Sequence, residues 1–179
     1  VGLVSFTGSA PTGKLIQKLV SERAVLGKVC LELGGKNPNI IFADCDFYSA
    51  LHTSVQSSFA NQGQICLCGS RILVEKSLYE RFKKDFVQKA RSLKVGDPMA
   101  DDTRVGAVVS KQHKEKIMSY VTLAKEEGGI ILCGGKEVNP GGDHAGGYFI
   151  EPTVIEGLSQ QCRTNQEEIF GPVVTIQPF

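Results

Sequence analysis

No apolar run in these 179 residues approaches the roughly 18–20 that a helix needs to span a bilayer. The first residues, VGLVSFTGS, lack the basic patch, apolar stretch and small-residue cleavage site of a secretory leader. An excess of either charge is missing too: 20 Lys and Arg stand against 19 Asp and Glu, a formal +1. That balance excludes an electrostatic case for nucleic acid or an anionic membrane surface as partner. The six cysteines, at positions 30, 45, 66, 68, 133 and 162, are too sparse for a small secreted disulfide scaffold, which points to a reducing cytosolic or organellar setting, the cytoplasm being the one expected. Cys66-x-Cys68 has no second Cys or His pair at zinc-ligand spacing, so no metal is expected. There is no GxGxxG fingerprint and no internal repeat. The glycine-rich stretch Gly134 to Gly147 lacks the lysine and the strand-to-helix setting of a phosphate loop and reads as a plain loop.

What is present is alternation. Val1 to Phe6 reads as a strand, followed by a helix from about Pro11 to Glu22 with Leu15, Ile16 and Leu19 as its apolar face. Strands are predicted over Lys28 to Leu33 and Asn39 to Phe42, then a helix opened by Asp46 whose buried stripe is Phe47, Ala50, Leu51, Val55 and Phe59. Ser70 to Val74 is a strand. Ser77 to Leu93 is a helix hiding Leu78, Phe82, Phe86 and Ala90, and Lys111 to Glu127 another that aligns Ile117, Tyr120, Val121 and Ala124. Short strands follow at Ile130 to Cys133, Val154-Ile155 and Val173 to Ile176. Strands alternating with helices of these lengths predict an α/β fold with a mostly parallel, helix-covered sheet. Both termini interrupt strand-like runs, so the fold is expected to be incomplete at both ends.

Chemistry concentrates in FANQGQICLCGSR, Phe59 to Arg71. Cys66 follows a glycine-broken helix end among small and polar residues, a setting that leaves a thiol accessible. A Cys–His hydrolase is hard to build here. His113 falls on the apolar side of its helix, where a hydrogen-bonded packing role is favoured, and His52 and His144 read as helix surface and loop. Glu32 is the better base, at the carboxyl end of a parallel strand, where open α/β sheets bind ligands. A lysine-paired carboxylate remains the alternative from position alone.

LELGGKNPNIIF, Leu31 to Phe42, resembles the glutamate signature of the aldehyde dehydrogenase superfamily. FANQGQICLCGSR resembles its cysteine signature, with Cys66 34 residues after Glu32. FTGS (Phe6 to Ser9) with Gly13 resembles its cofactor-pyrophosphate turn. GYFIEPTV (Gly147 to Val154) and EEIFGPV (Glu167 to Val173) are similar to two later signatures in family order. Within the superfamily, SSFANQGQICLCGSR and VSFTGS resemble the 2-aminomuconic semialdehyde dehydrogenase branch.

The resemblance implies the family's three-layer fold, with residues 1–34 ending the NAD-binding domain and 35–179 forming most of the catalytic domain. It implies oxidation of an aldehyde to an acid, with 2-aminomuconic semialdehyde or retinal as substrate. Cys66 matches the nucleophile that carries the thiohemiacetal and the thioester. Its backbone N–H is one oxyanion donor, while the family's second donor, an asparagine, lies upstream of residue 1. Glu32 matches the general base, and Cys68 a small neighbour. Gly8 and Ser9 match the pyrophosphate turn, Leu33 a backbone contact to the nicotinamide amide, Glu168 the ribose carboxylate and Phe170 the aromatic near the nicotinamide; Thr7 is a further position beneath the ring. NAD is the implied cofactor, with NADP open because the discriminating strand is upstream. The full-length parent is implied to be a homo-oligomer, dimer or tetramer, and these residues alone are expected to be inactive. The alternative is an inactive fragment or a structural, crystallin-like derivative of the same scaffold.

Overall fold

A computed structural model describes all of residues 1–179. The chain divides into two compact units, Val1–Gly35 and Lys36–Phe179.

In the first unit, β1 (Leu3–Gly8) and β2 (Lys28–Leu33) pair in parallel, joined by α1 (Ala10–Ser21). Ser9 caps α1: its hydroxyl accepts from the Thr12 N–H at 3.4 Å, and Pro11 stands in the first turn, where a missing N–H costs nothing. The helix buries a different face from the one its leucines suggest. Gly13 and Val20 are buried and Ile16 is half-buried, while Leu15 and Leu19 are each 55% exposed. The reason is local. A Cβ on Gly13 would lie 2.6 Å from Leu33 Cδ2, so α1 reaches β2 through this bare position. At 100° per residue, Leu15 then points roughly 200° away from that contact.

The second unit is built on a five-stranded sheet of order β3–β4–β9–β8–β5, formed by β3 (Pro38–Ile41), β4 (Arg71–Val74), β9 (Val173–Pro178), β8 (Thr153–Glu156) and β5 (Ile130–Cys133). Every pairing is parallel except that of the edge strand β5 with β8. Side chains alternate across the pleat and both faces are covered. Val154, Val174, Ile176, Ile72 and Val74 enter one core with α2 (Phe47–Phe59) and α3 (Tyr79–Arg91). Ile155 and Val173 enter the other, with Ile117, Val121 and Ala124 of α4 (Lys111–Glu126). The result is the three-layer, mostly parallel α/β arrangement expected. Asp46 and Ser110 cap α2 and α4 through bonds to the Ser49 and His113 N–H groups. Phe82 and Phe86 of α3 are fully buried and stacked at 6.0 Å between centroids.

The glycine-rich stretch is more than a loop. β6 (Glu137–Val138) pairs antiparallel with β7 (Phe149–Ile150), and a 3-10 turn spans Gly142–His144. A two-residue strand shows no periodicity along the chain, and the pairing is set by the burial of Phe149 and Ile150. The single-turn helix α5 (Arg163–Gln166) escapes sequence reading for the same reason. No helix is long and apolar enough to cross a membrane.

Candidate active site

In the first unit the parallel register puts Thr7 beside Glu32 and Gly8 beside Leu33. Val29, Leu31 and Leu33 face inward as the strand alternates, so Lys28, Cys30 and Glu32 face out, and Glu32 is exposed at the carboxyl end of β2. The Gly13 N–H donates to the Ser9 carbonyl at 3.0 Å. Four of the predicted positions, Gly8, Ser9, Glu32 and Leu33, therefore share one end of this small sheet, where α1 begins.

In the second unit, α2 stops at Phe59 and the backbone reverses through three consecutive left-handed residues, Asn61 (φ 48°), Gln62 (φ 58°) and Gly63 (φ 68°). Two of them are not glycine, a strained arrangement that persists only where its surroundings over-determine it. They do so here. The Asn61 amide donates to the Gln64 carbonyl at 3.1 Å, and Gln64 Oε1 accepts from the Val109 N–H at 3.1 Å. The Gln62 amide, oriented by its partners, accepts from the Gly106 N–H at 2.9 Å and donates to the Asn61 carbonyl at 3.0 Å. Gly63 presses so closely on Gly171 that a Cβ would lie 2.2 Å from the Gly171 carbonyl oxygen.

This reversal delivers the turn Ile65 to Cys68, closed by the Cys68 N–H donating to the Ile65 carbonyl at 3.0 Å. Cys66 and Cys68 are two residues apart but live in different surroundings. Cys66 is exposed at the tip. Cys68 is buried, its Sγ donates to the Ser58 carbonyl at 3.2 Å, and burial pushes its thiol up to about 11. A thiol so held supplies almost no thiolate near neutral pH.

The Gly63–Gly171 contact brings the Glu167 to Val173 segment against the cysteine loop. Its two adjacent carboxylates are used differently. Arg163 grips Glu167 with bonds of 2.8 and 3.0 Å and the Tyr120 hydroxyl donates to it as well, holding its carboxyl down to about 2. Glu168 joins none of these bonds. Only its backbone carbonyl is held, by Lys116 Nζ at 3.2 Å, which leaves the carboxylate oxygens unengaged. Phe170 is left-handed (φ 61°), and its carbonyl meets His113 Nε2 at 2.6 Å. His113 thus has the hydrogen-bonded packing role its helix position suggests, and it steadies Phe170 besides.

Sequence reasoning gave no role to two residues inside the glutamate signature, Lys36 and Asn37. The Lys36 ammonium is buried without a hydrogen-bond partner, near Cys68, Arg71, Cys162 and Glu168, and burial lowers its pKa to about 8. Asn37 bonds to the cysteine turn. The signature marks the segment but not what these two side chains do, because each is defined by neighbours some 30 residues or more away.

The sequence model of the aldehyde dehydrogenase family matches residues 1–179, the whole length. The chain belongs to the aldehyde dehydrogenase family. It is 47% identical to the 2-aminomuconic semialdehyde dehydrogenase of Bos taurus over 181 aligned residues, covering all of this chain and 37% of that relative. It is 42% identical to the 4-trimethylaminobutyraldehyde dehydrogenase of Oryzias latipes, covering all of this chain and 35% of that one. Among solved structures, betaine aldehyde dehydrogenase from Staphylococcus aureus, determined in complex with NAD+, superposes with a TM-score of 0.93 at 44% identity; the match spans all of this chain and 35% of that structure. The chain thus spans about a third of the length of the curated relatives it matches. The order of its aldehyde dehydrogenase signatures coincides with the order of its structural parts: the capped β1–α1 turn, the end of β2, the cysteine turn, β7–β8, and the segment against Gly63.

Proposed function

We propose that the full-length protein carrying this chain oxidises an aldehyde to a carboxylic acid with NAD, holding the substrate covalently on Cys66. One observation carries the reading: in an aldehyde dehydrogenase chain, an exposed thiol stands at the tip of a doubly braced turn, and its own backbone N–H donates to no carbonyl.

The Cys66 thiolate forms a C–S bond to the aldehyde carbon, and the displaced electron pair becomes an oxyanion that the free Cys66 N–H stabilises. NAD, when bound, supplies the acceptor for the hydride released as this adduct collapses to a thioester. Glu32 takes a proton from water; the hydroxide adds to the thioester carbon, the C–S bond breaks, and Cys66 returns as the acid leaves. The donor set suits the cofactor. Gly8 and Ser9 at the start of a twelve-residue helix would hold the pyrophosphate. The unengaged Glu168 carboxylate would accept from the ribose hydroxyls, Phe170 would pack near the nicotinamide, and the Leu33 backbone would meet its amide. NADP is the secondary choice.

On this reading residues 1–34 end the NAD-binding domain and 35–179 make most of the catalytic domain of a cytoplasmic homo-oligomer. The proposed substrate is 2-aminomuconic semialdehyde, with retinal second, supported by the 47% identity to the bovine relative of that name. A crystallin-like role is disfavoured, since an exposed Cys66 and an exposed Glu32 serve no packing purpose.

Full-length protein with NAD and the semialdehyde should produce reduced nicotinamide. Cys66→Ala should abolish turnover, whereas Glu32→Gln should give a burst of about one equivalent and a mass adduct of the acyl group on Cys66. Turnover surviving Cys66→Ala would defeat the proposal.

A further inference from the structure

The direction of a side chain is set by the two peptide planes that flank its Cα. At Cys66 one of these planes, between Ile65 and Cys66, is fixed by the Cys68 N–H on the Ile65 carbonyl at 3.0 Å. Because the peptide is trans, the Cys66 N–H then points opposite to that carbonyl, out of the turn. The other plane, between Cys66 and Leu67, is held from outside the turn. The Asn37 side-chain amide donates to the Cys66 carbonyl at 2.6 Å and to the Cys68 carbonyl at 3.1 Å, bonds that use both of its hydrogens.

Asn37 is itself anchored. It immediately precedes β3, its carbonyl accepts from the Arg71 N–H at 3.1 Å, and the Lys36 carbonyl accepts from Arg71 Nε at 3.0 Å. The amide is therefore fixed to the β3–β4 pair while it grips the turn that β4 follows. Only a side chain with two N–H donors on one nitrogen satisfies two converging carbonyls. An aspartate of the same shape would set oxygens against oxygens, and an alanine would leave both carbonyls without this donor.

We infer that Asn37 is a positioning residue for the reaction, a clamp that aims the Cys66 thiol and its N–H at the aldehyde. The inference rests on Cys66 being the nucleophile. Asn37 touches neither sulfur nor substrate and acts only through the Cys66–Leu67 and Cys68–Gly69 peptides.

The test uses the full-length protein with Asn37→Ala, Asn37→Asp and Asn37→Ser, followed by kinetics and by amide hydrogen exchange over peptide 65–70. Loss of the clamp should lower kcat about tenfold to a hundredfold, the order expected when a reacting group is misplaced by an ångström. KM for NAD should stay put. Exchange over 65–70 should speed about tenfold while that of α2 and α3 is unchanged, consistent with local opening. Asn37→Asp should be as impaired as Asn37→Ala, and Asn37→Ser, with one hydroxyl donor, should recover part of both readouts. Unchanged exchange over 65–70, or faster exchange with unchanged kcat, would overturn the inference, as would a fall in kcat matched by a general loss of protection in α2 and α3. Failure of the nucleophile reading is seen separately, in turnover by Cys66→Ala with the exchange response of Asn37→Ala intact.

Discussion

Substituting Gly63 by alanine tests the contact that joins the cysteine loop to the Glu167 to Val173 segment. Two penalties apply. Gly63 sits at φ 68°, where a side chain costs about 1–2 kcal/mol. The new Cβ would also lie 2.2 Å from the Gly171 oxygen and 2.6 Å from its carbon, both backbone atoms that cannot swing aside. One segment must give by about an ångström, and overpacking of that kind costs about 1–3 kcal/mol. The sum is about 2–5 kcal/mol. Gly128 is the control, because it is left-handed too (φ 88°) but has nothing within 4 Å of its notional Cβ, so Gly128→Ala should pay only the first cost. Urea unfolding of both variants measures the difference. Since Gly63 is three residues before Cys66, Gly63→Ala should also lose about a hundredfold in kcat, and Gly128→Ala almost none. Equal unfolding midpoints with equal turnover would refute the argument that the two glycines lock the site.

Two further predictions concern charge. Lys36→Met removes an ammonium that burial holds at about 8 rather than 10.5. At 1.36 kcal/mol per pH unit this is a penalty of about 3 kcal/mol. The folded state binds this proton less tightly than the unfolded state, so the variant's gain in stability should be full below pH 8 and vanish by about pH 10.5; a loss at pH 7 in urea unfolding would show the ammonium to be paired. Glu167→Gln removes a carboxylate held down to about 2, chiefly by Arg163 and then by Tyr120. The stabilisation is present above the ordinary carboxylate range and is lost as pH falls through about 2, so the variant should be weaker than the parent near pH 6 and indistinguishable from it at the acid end. The pair is partly exposed, which keeps the difference below about 1 kcal/mol; a gap that widens on acidification would reverse the assignment.

The amino-acid order by itself determined the alternation of strands and helices, the stripes of α2, α3 and α4, the accessible setting of Cys66 and the signatures that mark an aldehyde dehydrogenase. These are properties of consecutive residues, and a period of two or of 3.6 is legible wherever an element is long enough to repeat it. Tertiary structure decided the rest. It turned α1 onto Gly13 rather than Leu15 and Leu19, paired β6 with β7, and committed Glu167 to Arg163 while leaving Glu168 free. It also buried Cys68 two residues from an exposed Cys66 and set Asn37 on carbonyls 29 and 31 positions along the chain. The physical reason is that close approach and hydrogen-bond geometry depend on which backbones meet, and residues distant in order meet only once the sheet has formed.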